Sequence, residues 1–259
     1  MPYHIVSTKR KQRGSSLQFI VRSNTTDEKV VKEVIDDNVY QKPRKGFTID
    51  LASNWLDVGS NIGTFAVWAL SHGMVRRVVS IEPERENFNL LKKNIQLNKE
   101  NGNLGEKDKC ICHRGVIVPK NSKEEKNGSS NLYLCNGTYN KYRHSVYPRR
   151  GRTKVKVPAF SLEEILTRYS WIDGIKLDIE GSEIPILETI PLHYLKNIKA
   201  LVFEYTFDVD PSIPRFLRII NRFRSIFDTI HYTKVKENEL EYKYYPPCTN
   251  VYMWNSKLT

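Results

Sequence analysis

The chain has 259 residues, of which 39% are hydrophobic and 11% aromatic, and 41 basic against 29 acidic residues give a net charge of +12. This composition excludes a disordered chain and suffices for one larger domain, or for one domain with an appendage. No apolar run reaches the roughly 18 residues of a membrane span, and none follows the basic N-terminal residues as in a signal peptide, so we expect a cytoplasmic protein.

The first 50 residues are predicted to form an N-terminal extension that is partly helical and lies on the substrate or lid side. In the segment TTDEKVVKEVIDDN, a threonine and acidic residues precede apolar residues at helical spacing, which indicates a short helix. The following QKPRKG ends it. Residues 51–259 are expected to form the main domain.

From Asn54 onward, apolar strand patterns alternate with amphipathic helix patterns, which predicts an α/β fold with a parallel sheet covered by helices on both faces. Residues 119–151 are polar and rich in Gly, Asn and Lys, and are expected to be a lid-like insertion that includes a short strand, SNLYLC. The chain should close with an antiparallel strand pair. The expected strands of the domain are WLDVG, RVVSIE, CICHRGVIV, KVKVPAF, IDGIKLDIE, IKALVFEYT, TIHYTKV and CTNVYMWN.

A glycine-containing turn, Gly59-Ser60-Asn61-Ile62-Gly63, links the first strand of the domain to the first helix. A ligand can approach the backbone closely there and meet the free N–H groups of the helix N-terminus. Glu82 ends the second strand, where an acid can accept both hydroxyls of a ribose. Both features are expected at the carboxyl edge of the sheet.

The same turn excludes two common phosphate-binding motifs. No Lys follows the glycines as in a P-loop, and Asn61 stands where a dinucleotide site has its middle glycine. Asp57 would also repel a pyrophosphate, whereas it suits an ammonium group. A ligand with a ribose, an amino group and no phosphate fits better, and S-adenosylmethionine is such a molecule.

Three segments, LDVGSNIGTF, IEPERENFNLLKKNIQLN and SLEEILTRYSWIDGIKLDIEGSEIPILE, resemble the FkbM-type methyltransferases over about residues 30 to 206. The resemblance implies a class I, Rossmann-like fold with a seven-stranded, mostly parallel sheet. It also implies S-adenosylmethionine as cofactor, with an adenine pocket after the third strand. The expected cofactor contacts are Asp57, Gly59, Ser60, Asn61, Gly63, Thr64, Phe65, Glu82, Pro83, His113 and Arg114.

Carboxylates follow the strands IDGIKLDIE and IKALVFEYT, and the resemblance implies that Asp178 lies beside the transferring methyl. Glu180 and Glu204 are the next catalytic candidates. A carboxylate can accept the proton of a hydroxyl as a general base, or Asp178 and Glu204 can hold a divalent ion such as Mg²⁺ that acidifies it. Glu183 is expected to stabilise a helix dipole, and Lys176 to point out of its strand as a structural or solvated residue.

Family members methylate hydroxyls of sugars and natural products, so the resemblance implies O-methylation of a glycan or small-molecule acceptor. The positive net charge would suit an acceptor that carries an anionic group. The alternative is an RNA methyltransferase, favoured by the +12 charge, although the helix GSEIPILETIPLHYL lacks the lysine of a cap 2′-O enzyme. A non-catalytic cofactor-binding module is the third hypothesis. Aromatic residues in and near the insertion, Tyr133, Tyr139, Tyr142 and Tyr147, can form a sugar platform or pack the loop.

The four cysteines, Cys110, Cys112, Cys135 and Cys248, match no zinc-binding spacing. Nothing else in the sequence indicates secretion, where disulfides would be expected. We therefore expect free thiols in a reducing compartment.

Overall fold

A computed structural model describes residues 2–12, 14–41, 46–135, 144–148, 151–206, 212–232 and 248–256. The strands are β1 (Tyr3–Gln12), β2 (Ser15–Arg22), β3 (Asn54–Val58), β4 (Arg77–Ile81), β5 (Lys109–His113), β6 (Val116–Val118), β7 (Ser129–Leu134), β8 (Thr153–Ser161), β9 (Gly174–Leu177), β10 (Ala200–Thr206), β11 (Thr229–Tyr232) and β12 (Cys248–Trp254). The α-helices are α1 (Asp27–Val31), α2 (Thr64–Leu70), α3 (Arg85–Glu100), α4 (Lys123–Lys126), α5 (Leu162–Arg168), α6 (Glu183–Thr189) and α7 (Ile213–Phe223).

The predicted α/β fold is confirmed, with a seven-stranded sheet in the order β11-β12-β10-β9-β3-β4-β5. The strands from β10 to β5 run parallel, and β12 is antiparallel to both of its neighbours, as expected for the closing pair. The chain leaves β3 toward β4 and β5 and later returns on the other side through β9. The carboxyl ends of β3 and β9 therefore form the switch point, where α/β sheets bind ligands.

The predicted strand CICHRGVIV is in fact two strands. β5 stays in the central sheet, whereas β6 pairs with β8 in a separate three-stranded sheet of order β6-β8-β7. Gly115 lies at the break, where an added Cβ would lie 2.6 Å from the Phe160 ring and 2.8 Å from the Pro158 carbonyl oxygen. The chain thus changes sheets at a point that only glycine can occupy without displacing its neighbours.

The insertion at 119–151 contains regular structure. It includes α4 and β7, and β7 pairs antiparallel with β8, which confirms the strand predicted at SNLYLC. Tyr139 and Tyr142 lie outside the described residues, whereas Tyr147 is exposed.

The N-terminal extension contains the predicted helix as α1, followed by a π-helical turn at Lys32–Asp36. It also contains an antiparallel hairpin, β1–β2, that the sequence analysis did not predict. The alternating residues Leu17, Phe19 and Val21 of β2 are fully buried, a two-residue period that indicates a half-buried strand. They share one hydrophobic cluster with Trp55 and other residues of the main domain.

Two asparagines of α3 hold the hairpin in place. Asn94 and Asn98 are four residues apart and therefore lie on the same helix face. The Ile20 amide donates to Asn94 Oδ1 at 2.7 Å, and Asn94 Nδ2 donates to the Ile20 carbonyl at 3.3 Å. Asn98 makes the same pair of bonds with the backbone of Gln18. The side chains thus bond the edge of β2 as another strand would.

No described helix is long and apolar enough to cross a bilayer.

Candidate functional site

The glycine turn joins β3 to α2 in a left-handed backbone conformation. Gly59, Asn61 and Gly63 have φ angles of 79°, 50° and 88°. The amides of Gly59 and Ser60 both donate to the carbonyl of Ile81, at 3.0 and 3.1 Å, which ties the turn to the end of β4.

Gly59 also brings the turn after β3 into contact with the turn after β9. A Cβ atom on Gly59 would lie 1.8 Å from the carbonyl oxygen of Asp178, a distance that no non-bonded pair tolerates. The absence of a side chain at position 59 therefore allows the glycine turn and the Asp178 turn to lie side by side.

Glu82 lies at the end of β4 and is 4% exposed. Its Oε2 accepts the Asn61 amide at 2.8 Å, and its Oε1 accepts the Glu84 amide at 2.9 Å. Burial raises the pKa of this carboxyl to about 7, although these amides favour the charged form. Glu82 therefore fixes the glycine turn and also titrates near neutral pH.

A buried network connects Glu82 to the N-terminal extension. Asn87 Nδ2 donates to Glu82 Oε1 at 3.3 Å, and Arg22 Nη2 donates to Asn87 Oδ1 at 2.8 Å. The fully buried Arg22 guanidinium also forms a bidentate pair with Asp27, with both bonds 2.8 Å long. The position of Glu82 thus depends partly on residues outside the main domain.

The turn after β9 contains Asp178, Ile179, Glu180 and Gly181, and Glu183 holds it together. Glu183 Oε1 accepts the Ile179 amide at 2.6 Å, and Oε2 accepts the Gly181 amide at 2.8 Å. Glu180 adopts a left-handed φ of 57°, which is unusual for a residue with a side chain. Glu183 is thus an internal brace of the turn, beyond the dipole role that the sequence suggested.

Glu183 is expected to make stability depend on pH. Burial raises its pKa to about 8 from the ordinary 4.5, so between these values the folded chain binds a proton that the unfolded chain releases. Stability should therefore fall as pH rises from 5 to 8, by at most roughly 1.4 kcal/mol per pH unit from this group. Denaturant unfolding at several pH values should show a shallower decline for Glu183→Gln. The exposed Glu124→Gln control should keep the wild-type slope, and equal slopes for all three proteins would contradict this assignment.

Lys176 was predicted to be structural or solvated and to point out of its strand, but it is 3% exposed and lies beneath both turns. Its Nζ donates to the Gly59 carbonyl at 2.9 Å and lies 3.7 Å from Asp178 Oδ2. Burial opposes its charge, but the attraction of Asp57 and Asp178 outweighs this and raises the pKa of the Lys176 ammonium. A lysine in an otherwise apolar strand was the available signal, because buried lysines are nearly always paired.

Asp57, which was predicted to contact the cofactor, pairs with Lys176 in the structure. The structure places its fully buried carboxylate outside the cavity, with Oδ1 3.0 Å from Lys176 Nζ. Burial raises the pKa of Asp57, and Lys176 offsets part of that effect. Asp57 therefore positions Lys176 beneath the glycine turn.

Tyr40 is a site residue that the sequence analysis missed. It comes from the N-terminal extension, is almost fully buried, and its hydroxyl donates to Asp178 Oδ2 at 3.2 Å. Burial and the neighbouring Asp178 raise the pKa of Tyr40 well above its usual value, so it stays a donor. Its ring packs edge-on against Phe65 at 5.1 Å. No local pattern around residue 40 indicates this role.

A cavity of about 330 Å³ lies over the two turns. Residues of the extension and the insertion also line it, including Lys29, Glu33, His144 and Val146. The predicted site residues that line it are Gly59, Ser60, Asn61, Thr64, Phe65, Glu82, Pro83, Asp178, Glu180 and Glu204.

Three further predicted cofactor residues lie outside the lining. Gly63 caps α2, where an added Cβ would lie 2.6 Å from Leu91 Cδ1. His113 lies with its Nε2 2.6 Å from the Tyr169 hydroxyl, and Arg114 is exposed. The residues that follow them, 115–117, line the cavity instead, because the chain turns from β5 into β6 there.

Several buried polar atoms at the cavity lack a hydrogen-bond partner among the described residues. They are the hydroxyls of Thr26, Thr64 and Ser182 and the side-chain oxygen of Asn61. Buried polar groups are nearly always satisfied in folded proteins, so these atoms indicate that a polar ligand completes the site.

Asp178 and Glu204 are the residues that the sequence analysis offered as possible ligands of a divalent ion. No group of three or more His, Cys, Asp or Glu suited to a metal ion occurs within the described parts of the chain. Asp178 and Glu204 both line the cavity. Mg²⁺ is commonly held by one or two carboxylates with water completing its coordination, so the metal requirement is a matter for a chelation experiment.

One family profile, the methyltransferase FkbM domain, matches residues 57–230. No curated protein matches the chain. Similar solved structures include an FkbM methyltransferase from Methylobacillus flagellatus, with 16% identity and a TM-score of 0.48 over 79% of this chain and 44% of that one. The chain thus spans less than half of that protein. An O-methyltransferase from Bacillus cereus in complex with SAH has 11% identity and a TM-score of 0.41 over 88% and 91% of the two chains.

Proposed function

The chain belongs to the FkbM methyltransferase family, and we propose that it transfers a methyl group from S-adenosylmethionine to a hydroxyl of a sugar, a glycan or a related small molecule. The contact between Gly59 and the Asp178 carbonyl carries this proposal, because it brings a ligand-binding turn and a candidate base into one cavity. The family supports methyl transfer itself. The cofactor, the oxygen acceptor and the residue roles are inferred from the site.

The cavity suits S-adenosylmethionine, which when bound supplies a methyl group on a sulfonium. Glu82 has the position and the acceptor oxygens to bind the ribose hydroxyls. Asn61 and Thr64 offer polar side-chain atoms that have no partner among the described residues. The apolar Val116 and Ile117 can cover an adenine ring, a role that the sequence analysis gave to His113 and Arg114.

Asp178 is the proposed base. Its side chain is about one-third exposed at the cavity, while Tyr40 and Lys176 hold its Oδ2 from the other side. A carboxylate held in this way can accept the proton of an acceptor hydroxyl. Glu180 and Glu204 line the same cavity and are proposed to bind further hydroxyls of the acceptor. No step is assigned to a metal ion.

The acidic lining favours a polyhydroxylated acceptor over RNA, in spite of the net charge. Among the described lining residues, the carboxylates of Glu33, Glu180 and Glu204 accompany Asp178 and would repel a phosphate backbone. Lys29 is available for one anionic group of an acceptor. We propose that the extension of residues 1–50 forms the acceptor side of the site.

The function is tested by incubating the purified chain with methyl-labelled S-adenosylmethionine and a panel of glycans, nucleotide sugars, small polyols and RNA. Label is expected in a hydroxylated small molecule or glycan, as a base-stable ether. Parallel reactions with EDTA should keep full activity if no exchangeable ion is needed. Labelling of RNA alone would overturn the acceptor class, and an absence of cofactor binding would overturn the proposal as a whole.

Cofactor affinity is expected to rise with pH through the titration of Glu82. Only the ionised carboxylate can accept hydrogen bonds from both ribose hydroxyls. The pKa of Glu82 is about 7 before the cofactor binds, so the ionised fraction, and with it the affinity, should rise about tenfold between pH 5.5 and 7. The α-amino group of the cofactor remains largely protonated in this range. Calorimetry on Glu82→Gln should show a flat pH profile and affinity about 10-fold to 100-fold weaker at pH 7. The control Glu100→Gln should show the wild-type dependence of cofactor affinity on pH. If Glu82→Gln also showed it, Glu82 would not be the ribose ligand.

A further inference from the structure

Two cysteines lie together on the edge strand β5, away from the cavity. Cys110 and Cys112 are two residues apart and therefore point to the same side of the strand. Their sulfur atoms are 3.7 Å apart, and both thiols are half-buried. β5 pairs with β4 and has no second neighbour among the described strands, so the pair lies at the border of the sheet.

The two thiols open into a groove between β5 and α3 with a volume of about 320 Å³. Phe88 and Ile95 form its apolar wall, and the ammonium groups of Lys92 and Lys99 border it. A small oxidant can therefore reach sulfur atoms that lie in a positive environment. Such surroundings are typical of reactive cysteines and differ from those of buried structural ones.

The two thiols have different electrostatic surroundings, because Lys92 and Lys99 act on Cys112. The hydrogen bond from Cys110, assisted by Lys92 and Lys99, lowers the pKa of Cys112. The same hydrogen bond and burial raise the pKa of Cys110 well above its usual value. Cys112 is thus the better thiolate, and Cys110 is a thiol held beside it.

The strand geometry indicates what kind of disulfide the pair can form. Alternate Cα atoms of a strand are roughly 6.6 Å apart, near the upper limit of about 6.8 Å for a disulfide. The sulfurs are already in contact, but a disulfide also needs Cβ atoms within about 4.5 Å, so the edge strand must bend locally at Ile111 for the bond to form. A bond formed at this limit is strained, and strained disulfides are reduced readily.

We propose that Cys110 and Cys112 form a reversible thiol–disulfide pair that responds to peroxide, with Cys112 as the reacting sulfur. The Cys112 thiolate attacks one oxygen of hydrogen peroxide, the O–O bond breaks, and a sulfenic acid forms with release of hydroxide. The sulfur of Cys110 then attacks the sulfenic sulfur, its proton leaves with the departing hydroxide as water, and the S–S bond forms. Two electrons pass from the thiols to the peroxide, and a dithiol reductant restores both thiols.

Trypsin provides a direct test, because cleavage after Lys109 and Arg114 releases both cysteines in the peptide CICHR. The full chain is treated with one equivalent of hydrogen peroxide, alkylated, digested and analysed by mass spectrometry. CICHR should lose two hydrogens and escape alkylation, and dithiothreitol should reverse this. The peptide with Cys135, a free thiol elsewhere, should remain alkylated. Equal oxidation of Cys135, or sulfinic acid on Cys112 without the internal disulfide, would overturn the proposal.

Variants separate the two roles. Cys110→Ser should trap a sulfenic acid at Cys112 that dimedone labels, whereas Cys112→Ser should reduce dimedone labelling of the tryptic peptide 110–114 at least fivefold. Replacing Lys92 and Lys99 together by glutamine should slow alkylation of Cys112 at pH 7 several-fold. Phenylarsine oxide, which needs two adjacent thiols, should protect CICHR from alkylation in the reduced wild type. Failure of this protection, or equal labelling of both serine variants, would contradict the pairing.

Discussion

Asp178→Asn is expected to slow methyl transfer by about 100-fold to 10,000-fold, the usual contribution of a general base. The amide keeps the size of the side chain but cannot accept the proton of the acceptor hydroxyl. The backbone contact between the Asp178 carbonyl and Gly59 is unchanged, so cofactor affinity should stay within about twofold of the wild type. Initial rates with the acceptor found in the panel measure the first effect, and calorimetry measures the second.

Tyr40→Phe is the matched control for this prediction. It removes the hydroxyl that donates to Asp178 Oδ2 and keeps the ring that packs on Phe65. A bond to a charged group contributes about 1.5 to 3 kcal/mol, so turnover should fall by at most roughly 10-fold to 100-fold, with the base still present. Near-normal turnover of Asp178→Asn would eliminate it as the base, and a loss of cofactor binding in that variant would indicate a structural role.

The parts of the molecule that depend on local pattern could be predicted from the sequence. The alternation of apolar strands with amphipathic helices predicted the parallel sheet, because a strand that is buried on both faces of a sheet reads as a continuous apolar run. The glycine turn and Glu82 could be located because both end neighbouring strands of that sheet. Their proximity is seen directly in the bond from the Asn61 amide to Glu82 Oε2.

The parts that depend on long-range packing could not be predicted. Tyr40 reaches Asp178 only because the extension folds over the cavity, and its surrounding sequence has no periodic pattern. Lys176 and Asp57 are far apart in the chain but adjacent across the pairing of β9 with β3, so their ion pair required the strand register. The sequence pattern also did not show that residues 115–117, and not His113 and Arg114, line the cavity, because the break at Gly115 depends on contact with Phe160.

Gly59→Ala is expected to weaken cofactor binding more than 100-fold and to destabilise the fold. The new methyl group would lie 1.8 Å from the Asp178 carbonyl oxygen, so the two turns must separate. The left-handed φ of 79° adds a cost of about 1–2 kcal/mol, and overpacking typically costs about 1–3 kcal/mol more. Calorimetry with the cofactor and denaturant unfolding measure the two losses.

Gly102→Ala distinguishes the clash from the backbone strain. Gly102 has a similar left-handed φ of 69°, but an added Cβ there meets no atom within 4 Å. The control should therefore lose only the conformational part of the stability, roughly 1–2 kcal/mol, and bind the cofactor like the wild type. If Gly59→Ala retained wild-type cofactor affinity, close contact between the two turns would be unnecessary for binding. The site would then tolerate a movement of Asp178 that a base acting on the hydroxyl beside the transferring methyl group does not allow.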